Sequence, residues 1–311
     1  MLSNNNKVQL VRVLEPQHGQ RIDNFLIRHL KGVPRSRVYR LIRRGEVRIN
    51  KKRCKPAQKL LAGDEIRIPP FSGVEATQPA KLTPGLQGLL EQSVLFEDEQ
   101  LLVIDKPAGL AVHGGSGIRL GLIDALRQIK PEWSSLELAH RLDRDTSGCL
   151  IVAKNMISLK QLQKKFKEKS IKKYYLVLVH GRWPEKLTQV DVPLLKNELS
   201  SGERLVQVSQ DGKASLTRFN VLQRFQEATL VEAIPVTGRT HQIRVHCQHA
   251  GHPIVGDPRY SKKGRVTTLS RVKNLCLHAF KINFTLPDSQ ESIEVTAATD
   301  KTMAALVDSL I

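Results

Sequence analysis

From Leu89 to the end of the chain, short runs with the period of a β-strand follow one another with few helices between them, and this limits the fold more than any other feature. "SVLFEDEQLLVIDKPAG" reads as a hairpin closed by Glu97, Asp98 and Glu99. "CLIVAKN" reads as a buried strand leading into a helix whose Leu159, Leu162 and Phe166 face inward. In "KKYYLVLVHG", Tyr175, Val177 and Val179 share one face, and "RLVQVS", "SLTRFNVLQ" and "ATLVEAI" add further strands. A doubly wound parallel sheet needs more crossover helices than this pattern supplies. The expected fold is α+β, a mainly antiparallel mixed sheet with flanking helices, and no repeat of solenoid length interrupts it.

With 311 residues, 40% of them hydrophobic, the chain can bury one large core and a small satellite domain. No apolar stretch approaches the ~18 residues of a membrane span, and "MLSNNNKVQL" lacks the order of a signal peptide. A cytoplasmic location is therefore expected. The four cysteines, Cys54, Cys149, Cys247 and Cys276, form no C-x-x-C pair, so they read as small buried hydrophobes and not as a zinc site or a disulfide framework.

Charge separates the satellite from the rest. The formal net charge is +19, which points to a polyanion as partner. Residues 19–70 alone hold 15 Lys and Arg against 4 Asp and Glu, a net of +11. Here Ile22, Phe25, Leu26, His29 and Leu30 recur at helical spacing, and Gly32 and Pro34 end that helix before a second opens. On the second, Val38, Leu41 and Ile42 form the inward stripe, and Arg37, Arg40 and Arg44 lie three and four apart on the other side. Gly45 ends it, "EVRIN" and "GDEIRI" alternate as strands, and Lys51 and Lys52 add charge between them. A basic helical face beside a small sheet suits a phosphate backbone better than base edges. Residues 1–18 read as an N-terminal extension, and 71–88, inside a stretch with four prolines, as a linker to a domain spanning 89–311.

Three places in that larger domain can carry chemistry. "HRLDRDTSG" puts Asp143 among Arg141, Arg144 and Asp145 at the mouth of the buried "CLIVA" strand, a rigid place for a reactive group. A carboxylate there can be a general base, a nucleophile or an ion-paired structural acid, and taken alone the last is the commonest. "VTGRTHQIRVHCQHAGHP" gives a turn and then a short helix with Ile243, Cys247 and Ala250 inward and His241 and Arg244 on a different face. An arginine in a helix's first turn calls for an anion, here Asp143, an RNA phosphate or both. The third is Tyr175, a half-buried sheet aromatic or, facing a cleft, a platform for a base. His241, His246 and His249 are not spaced for one metal, and "HGGSG" at 113–117 has neither a serine elbow nor a P-loop lysine to accompany it, so it reads as a flexible loop beside the site.

Taken in order, "HRLDRDTSG", "KYYLVLV" and "TGRTHQIRVH" resemble the catalytic motifs of the pseudouridine synthases, and residues 19–70 resemble an S4-type RNA-binding domain. With "LLVIDKPAGLAVHGGSG", the likeness narrows to the ribosomal large subunit synthases of the C or D type. The resemblance implies an S4-like domain ahead of a pseudouridine synthase domain, large subunit ribosomal RNA or its assembly precursor as partner and no cofactor; no membrane partner is expected from the hydropathy, and a monomer is expected. It implies Asp143 as the essential carboxylate, Arg244 as its partner, Tyr175 stacked on uracil, and Arg141 filling the gap left by an extruded base. His140, Arg239 and His241, with Arg37, Arg40, Arg44, Lys51 and Lys52, are the further expected RNA contacts. A non-catalytic RNA-binding protein would share the charge but has no need of Asp143, Tyr175 and Arg244 together. A glycosidase would need a second carboxylate, for which only Asp145 offers, without a matching context.

Overall fold

The computed structural model describes residues 8–30, 33, 35–70, 82–114, 120–133, 135–198, 204–261, 268–286, 289 and 291–311. It divides into two compact units, Met1–Lys81 and Leu82–Ile311. In the first, strands β1 (Gln9–Arg12), β2 (Arg48–Ile49), β3 (Lys52–Arg53) and β4 (Glu65–Ile68) run in the order β1-β4-β2-β3. Asn50 and Lys51 both take positive φ (49° and 66°), the turn whose twist matches that of the strands it joins. Two helices, α1 (Ile22–His29) and α2 (Arg35–Arg44), bury Ile22, Phe25, Leu26, Val38, Leu41 and Ile42 against this sheet. Gly45, at φ 74°, ends α2 in the left-handed conformation that a side chain would resist.

Two boundary expectations are corrected. Residues 1–18 are not merely an extension, because β1 pairs antiparallel with β4, Val11 opposite Ile66. The alternating "VQLVRVL" was the legible signal. The linker does not reach 88: a third helix, α3 (Pro84–Gln92), starts under a Thr83 cap that accepts the Leu86 N–H. Positions 71–81 lie outside the described residues.

The second unit is built on a ten-stranded sheet. Its strands are β5 (Val94–Glu97), β6 (Leu101–Lys106), β7 (Glu137–Leu138), β8 (Ser147–Ala153), β9 (Lys172–His180), β10 (Gln189–Asp191), β13 (Leu216–Arg224), β14 (Ala228–Pro235), β15 (Leu277–Thr285) and β16 (Ser292–Thr296), while β11 (Leu194–Glu198) and β12 (Arg204–Val208) form a separate hairpin. The order is β10-β13-β14-β9-β15-β8-β6-β5, with β7 beside β8 and β16 beside β15. Among the described pairings only β8 with β15 is parallel, so the sheet is mainly antiparallel as expected. Its centre is buried on both faces, which is why "CLIVA" is continuously apolar. Leu150 and Val152 join the core that holds α4 (Leu122–Ile129), and Cys149, Ile151 and Ala153 join the one under α5 (Met156–Lys167). All four cysteines are buried free thiols. No helix among the described residues is long and apolar enough to cross a membrane.

The register brings the three candidate segments to one place. Ser147 lies opposite His278, His278 opposite Leu176, and Tyr175 opposite Ala233, two residues before β14 ends. The start of β8 therefore stands level with Leu176, next to Tyr175 on β9 and close to the last residues of β14, so the three candidate segments meet over one part of the sheet. Beneath the first of these sits Lys106, whose ammonium is wholly buried and donates to the carbonyls of Pro107 (2.8 Å), Leu110 (2.9 Å) and Arg144 (2.9 Å). Burial lowers its pKa to about 8, against the pull of Asp145, Asp143 and Asp105.

Two substitutions test this scaffold. Lys106→Met leaves three carbonyls without their donor and should cost about 3 kcal/mol of unfolding free energy in urea, with slower turnover as the Asp143 loop loosens. Gly148 sits at φ 105°, where a Cβ would fall on the Ala279 carbonyl oxygen. Gly148→Ala should cost a similar amount, about 2–4 kcal/mol, by the same measurement.

Candidate active site

Where these segments meet, a cleft of about 560 Å³ opens, lined by Arg141, Asp143, Lys173, Tyr175, His241 and Arg244 among others. Asp143 lies on the loop before β8, and the Thr146 N–H donates to its carbonyl at 3.2 Å. Its carboxylate is 21% exposed, low in the cleft. Asp145, the other acid of the motif, turns away: it pairs with Arg144 at 3.0 Å on the exposed side and does not line the cleft.

The turn from Thr237 to His241 leads into α6 (Gln242–His249). Gln242 pins it. Its Oε1 accepts from Thr237 Oγ1 (2.7 Å) and the Arg239 N–H (3.0 Å), and its Nε2 donates to the Leu216 carbonyl (3.0 Å) and Thr217 Oγ1 (2.9 Å). Every polar position of that amide is used. Sequence reading passed over Gln242, although it stands inside the motif that carries His241 and Arg244.

Arg244 answers to two carboxylates, and the nearer is one the sequence reading did not single out. Its Nε and Nη2 donate to Asp257 at 2.7 and 2.8 Å, a two-pronged pair, while Nη1 lies 3.5 Å from Asp143 Oδ2. The expected pairing of Arg244 with Asp143 is present at one corner, and Asp257, which the sequence reading did not single out, holds the rest of the guanidinium. Asp257, with no exposed side-chain surface, also accepts from the backbone N–H groups of Arg259 (2.9 Å) and Tyr260 (3.2 Å). Burial works against the charged guanidinium, but the hydrogen bonds and charge of Asp257, with Asp143 behind them, outweigh it and raise the Arg244 pKa.

Tyr175 is 8% exposed and faces the cleft from β9. Burial raises its pKa, and the nearby Asp143 charge adds to the effect, so the phenol stays protonated. Beside it Lys173, another residue not anticipated, lines the cleft with its pKa lowered by burial. Arg141 and Arg239 are exposed at the rim, where Arg239 also donates to the Ala214 carbonyl at 3.2 Å.

Two expected RNA contacts are already engaged within the protein. His140 accepts the Ile151 N–H at 3.0 Å and lies 4.8 Å from the Phe166 ring. Burial, with Lys173 adding, pushes its pKa down to about 3, so it offers no charge to a phosphate. His241 turns its Nε2 to Asp143 Oδ2 at 3.8 Å and its Nδ1 to the Tyr260 hydroxyl at 2.8 Å. His246 is buried against Ser215 Oγ at 2.8 Å. His113 and Gly114 of "HGGSG" do not line the cleft, and 115–117 lie outside the described residues. In the first unit Arg40, Arg44, Lys51 and Lys52 are exposed and Arg37 half-exposed, whereas Arg53 caps α2 by donating to the Arg44 carbonyl at 3.1 Å.

Comparison with known proteins follows the same division. Residues 20–66 match the S4 domain and residues 100–249 the RNA pseudouridylate synthase family. A ribosomal large subunit pseudouridine synthase C of Pasteurella multocida is 50% identical over 311 residues, covering 98% of this chain and 95% of that protein. The protein of the same description from Escherichia coli is 51% identical, with 94% of each chain covered. Among solved structures, human RNA pseudouridylate synthase domain containing 4 superposes with a TM-score of 0.59 at 25% identity, over 73% of this chain and 95% of its own. With half its residues shared over nearly its full length, and a half-buried carboxylate held at the centre of its cleft, the chain belongs to the RNA pseudouridylate synthases, enzymes that isomerise uridine to pseudouridine.

Proposed function

We propose that this enzyme acts on uridines of large subunit ribosomal RNA, in the cytoplasm where that RNA is assembled, with Asp143 as its essential carboxylate. The observation that carries the residue assignment is the convergence of Asp143, Tyr175 and Arg244 on one cleft, with the competing Asp145 engaged outside it. The substrate assignment is supported by the C-type synthases at about half identity.

The reaction breaks the C1′–N1 glycosidic bond, turns the uracil while it stays bound, and joins C1′ to C5. The C5 proton leaves and N1 gains one, so the product is an isomer and the balance calls for no oxidant, reductant or activated group. Asp143 acts on the sugar at C1′ or assists removal of a sugar proton toward a glycal. A base within folded RNA cannot reach a carboxylate low in a cleft, so the nucleotide is extruded, at a cost of about a few kcal/mol of stacking. Phosphate contacts made by Arg37, Arg40, Arg44, Lys51 and Lys52 offset that cost. Tyr175 stacks on the uracil. Arg141, on the motif resemblance, fills the vacated position in the RNA. Arg244 holds Asp143 in place, and Lys173 sets a positive charge beside the same site.

Asp143→Asn should lower pseudouridine formation below detection in ribosomal RNA mapped by carbodiimide-dependent primer-extension stops, while RNA affinity changes by less than about threefold; continued turnover would remove Asp143 from its role. Replacing Arg37, Arg40 and Arg44 together by Ala should weaken binding and reduce the slope of log K against log salt concentration by about 2 to 3. An unchanged slope would mean that this helical face does not meet phosphate.

A further inference from the structure

Two donors approach Asp143 from the start of α6, and the mechanism above uses only one. Arg244 Nη1 stands 3.5 Å from Oδ2, and His241 Nε2 stands 3.8 Å from the same oxygen. The latter distance is long for a hydrogen bond, as catalytic contacts often are before substrate closes a site. Whether it attracts or repels depends on which ring nitrogen carries the proton.

Tyr260 decides that. The residue is buried, and its hydroxyl accepts the Val206 N–H at 3.2 Å and lies 2.8 Å from His241 Nδ1. Among the described residues these are its hydrogen-bond partners. Val206 uses the oxygen as acceptor, and a buried hydroxyl places its single proton on an available acceptor. That acceptor is Nδ1, so the proton of the neutral ring resides on Nε2, the atom facing Asp143. Burial lowers the His241 pKa, against the pull of Asp143 and with the push of Arg244 and Arg259, which keeps the ring neutral near pH 7. The backbone is committed as well: His241 holds φ 52°, a left-handed conformation rare for a residue with a side chain, stabilised by the Gln242 hydrogen bonds on either side of it.

We propose that His241 is a positioning residue for Asp143, its tautomer set by Tyr260 so that Nε2–H is directed at Oδ2. The inference rests on the reading of Asp143 given above. Arg244 supplies charge from a guanidinium already fixed by Asp257. His241 supplies direction, bringing a second donor to the same oxygen and fixing the rotation of the carboxylate about its Cβ–Cγ bond. A histidine that serves RNA binding alone would not need its other nitrogen tied to a buried phenol.

Single-turnover release of tritium from a large subunit ribosomal RNA transcript carrying 5-tritiated uridine tests it, since the C5 hydrogen is lost as the new bond forms. His241→Ala should slow release about 30-fold with RNA affinity within about twofold of wild type. His241→Gln, whose side-chain N–H can stand in for Nε2–H, should recover most of that loss. Tyr260→Phe, which keeps the ring but not the proton, should slow wild type about tenfold and the His241→Gln protein less than twofold. A purely structural tyrosine would slow both alike, and thermal unfolding of each variant reports any general loss of fold. Release by His241→Ala at the wild-type rate, or equal Tyr260→Phe losses in the two backgrounds, overturns the proposal. Asp143→Asn in the same assay keeps the two questions apart: turnover there removes the reading of Asp143, whereas a dead Asp143→Asn beside a fully active His241→Ala removes only this one.

Discussion

The site exists because four neighbouring strands, β14, β9, β15 and β8, hold one register. Side chains alternate along a strand, so a slip of one residue in β9 would turn Tyr175 from the cleft to the opposite face and bring Tyr174 in its place. Such a slip would also turn Val177 and Val179, which are wholly buried in the same core, to the other face of the sheet, where Tyr174, Leu176 and His180 are only half-buried. The lost packing, up to about 2 kcal/mol for such a side chain, guards the position of a residue that itself contributes to chemistry. Packing and function are enforced here by the same alternation.

What the sheet brings together, α6 has to arm. A guanidinium with 5% of its side chain exposed can stay charged only if its charge and its N–H groups are matched. Asp257 meets most of that need with two short hydrogen bonds in a plane, which suits the fork of arginine and would not suit the single ammonium of lysine. The pair therefore lets Arg244 be present before any substrate arrives and leaves one corner, Nη1, directed at Asp143. Asp257 never lines the cleft, yet without it the arginine would be an unpaired buried charge.

Much of this was legible in the sequence, and what was not follows from where the information lies. The paired basic helices, the β5–β6 hairpin, the buried β8 strand and the inward face of α5 all repeat with the period of their element, so pattern alone locates them. Asp143 and Arg244 stood out because charge at a strand mouth and a cation in a helix's first turn each need an explanation. Asp257, Lys106 and Gln242 needed none locally: each is a polar residue in a loop-like stretch or at an element's end, and its partner is distant in sequence or is a backbone group. Lys106 meets the carbonyl of Arg144, 38 positions away, and no periodicity encodes that contact. β1 was passed over for a different reason, since an edge strand whose residues are only half-buried and exposed in turn carries a weaker alternation than a strand with a fully buried face.

The histidines show the same limit from the other side. Sequence makes His140 and His241 look alike, two imidazoles near arginines in a basic protein, and both were expected to meet RNA. Their surroundings assign them opposite tautomers. His140 accepts a backbone N–H at Nε2, so a neutral ring must carry its proton on Nδ1. His241 accepts from Tyr260 at Nδ1, so its proton lies on Nε2. The first arrangement ties the loop to β8 and leaves nothing for a ligand on the Nε2 side. The second leaves a donor aimed at the carboxylate on which the reaction turns. Residue type proposes the chemistry, but the hydrogen bond on the far side of the ring decides which chemistry is open to it.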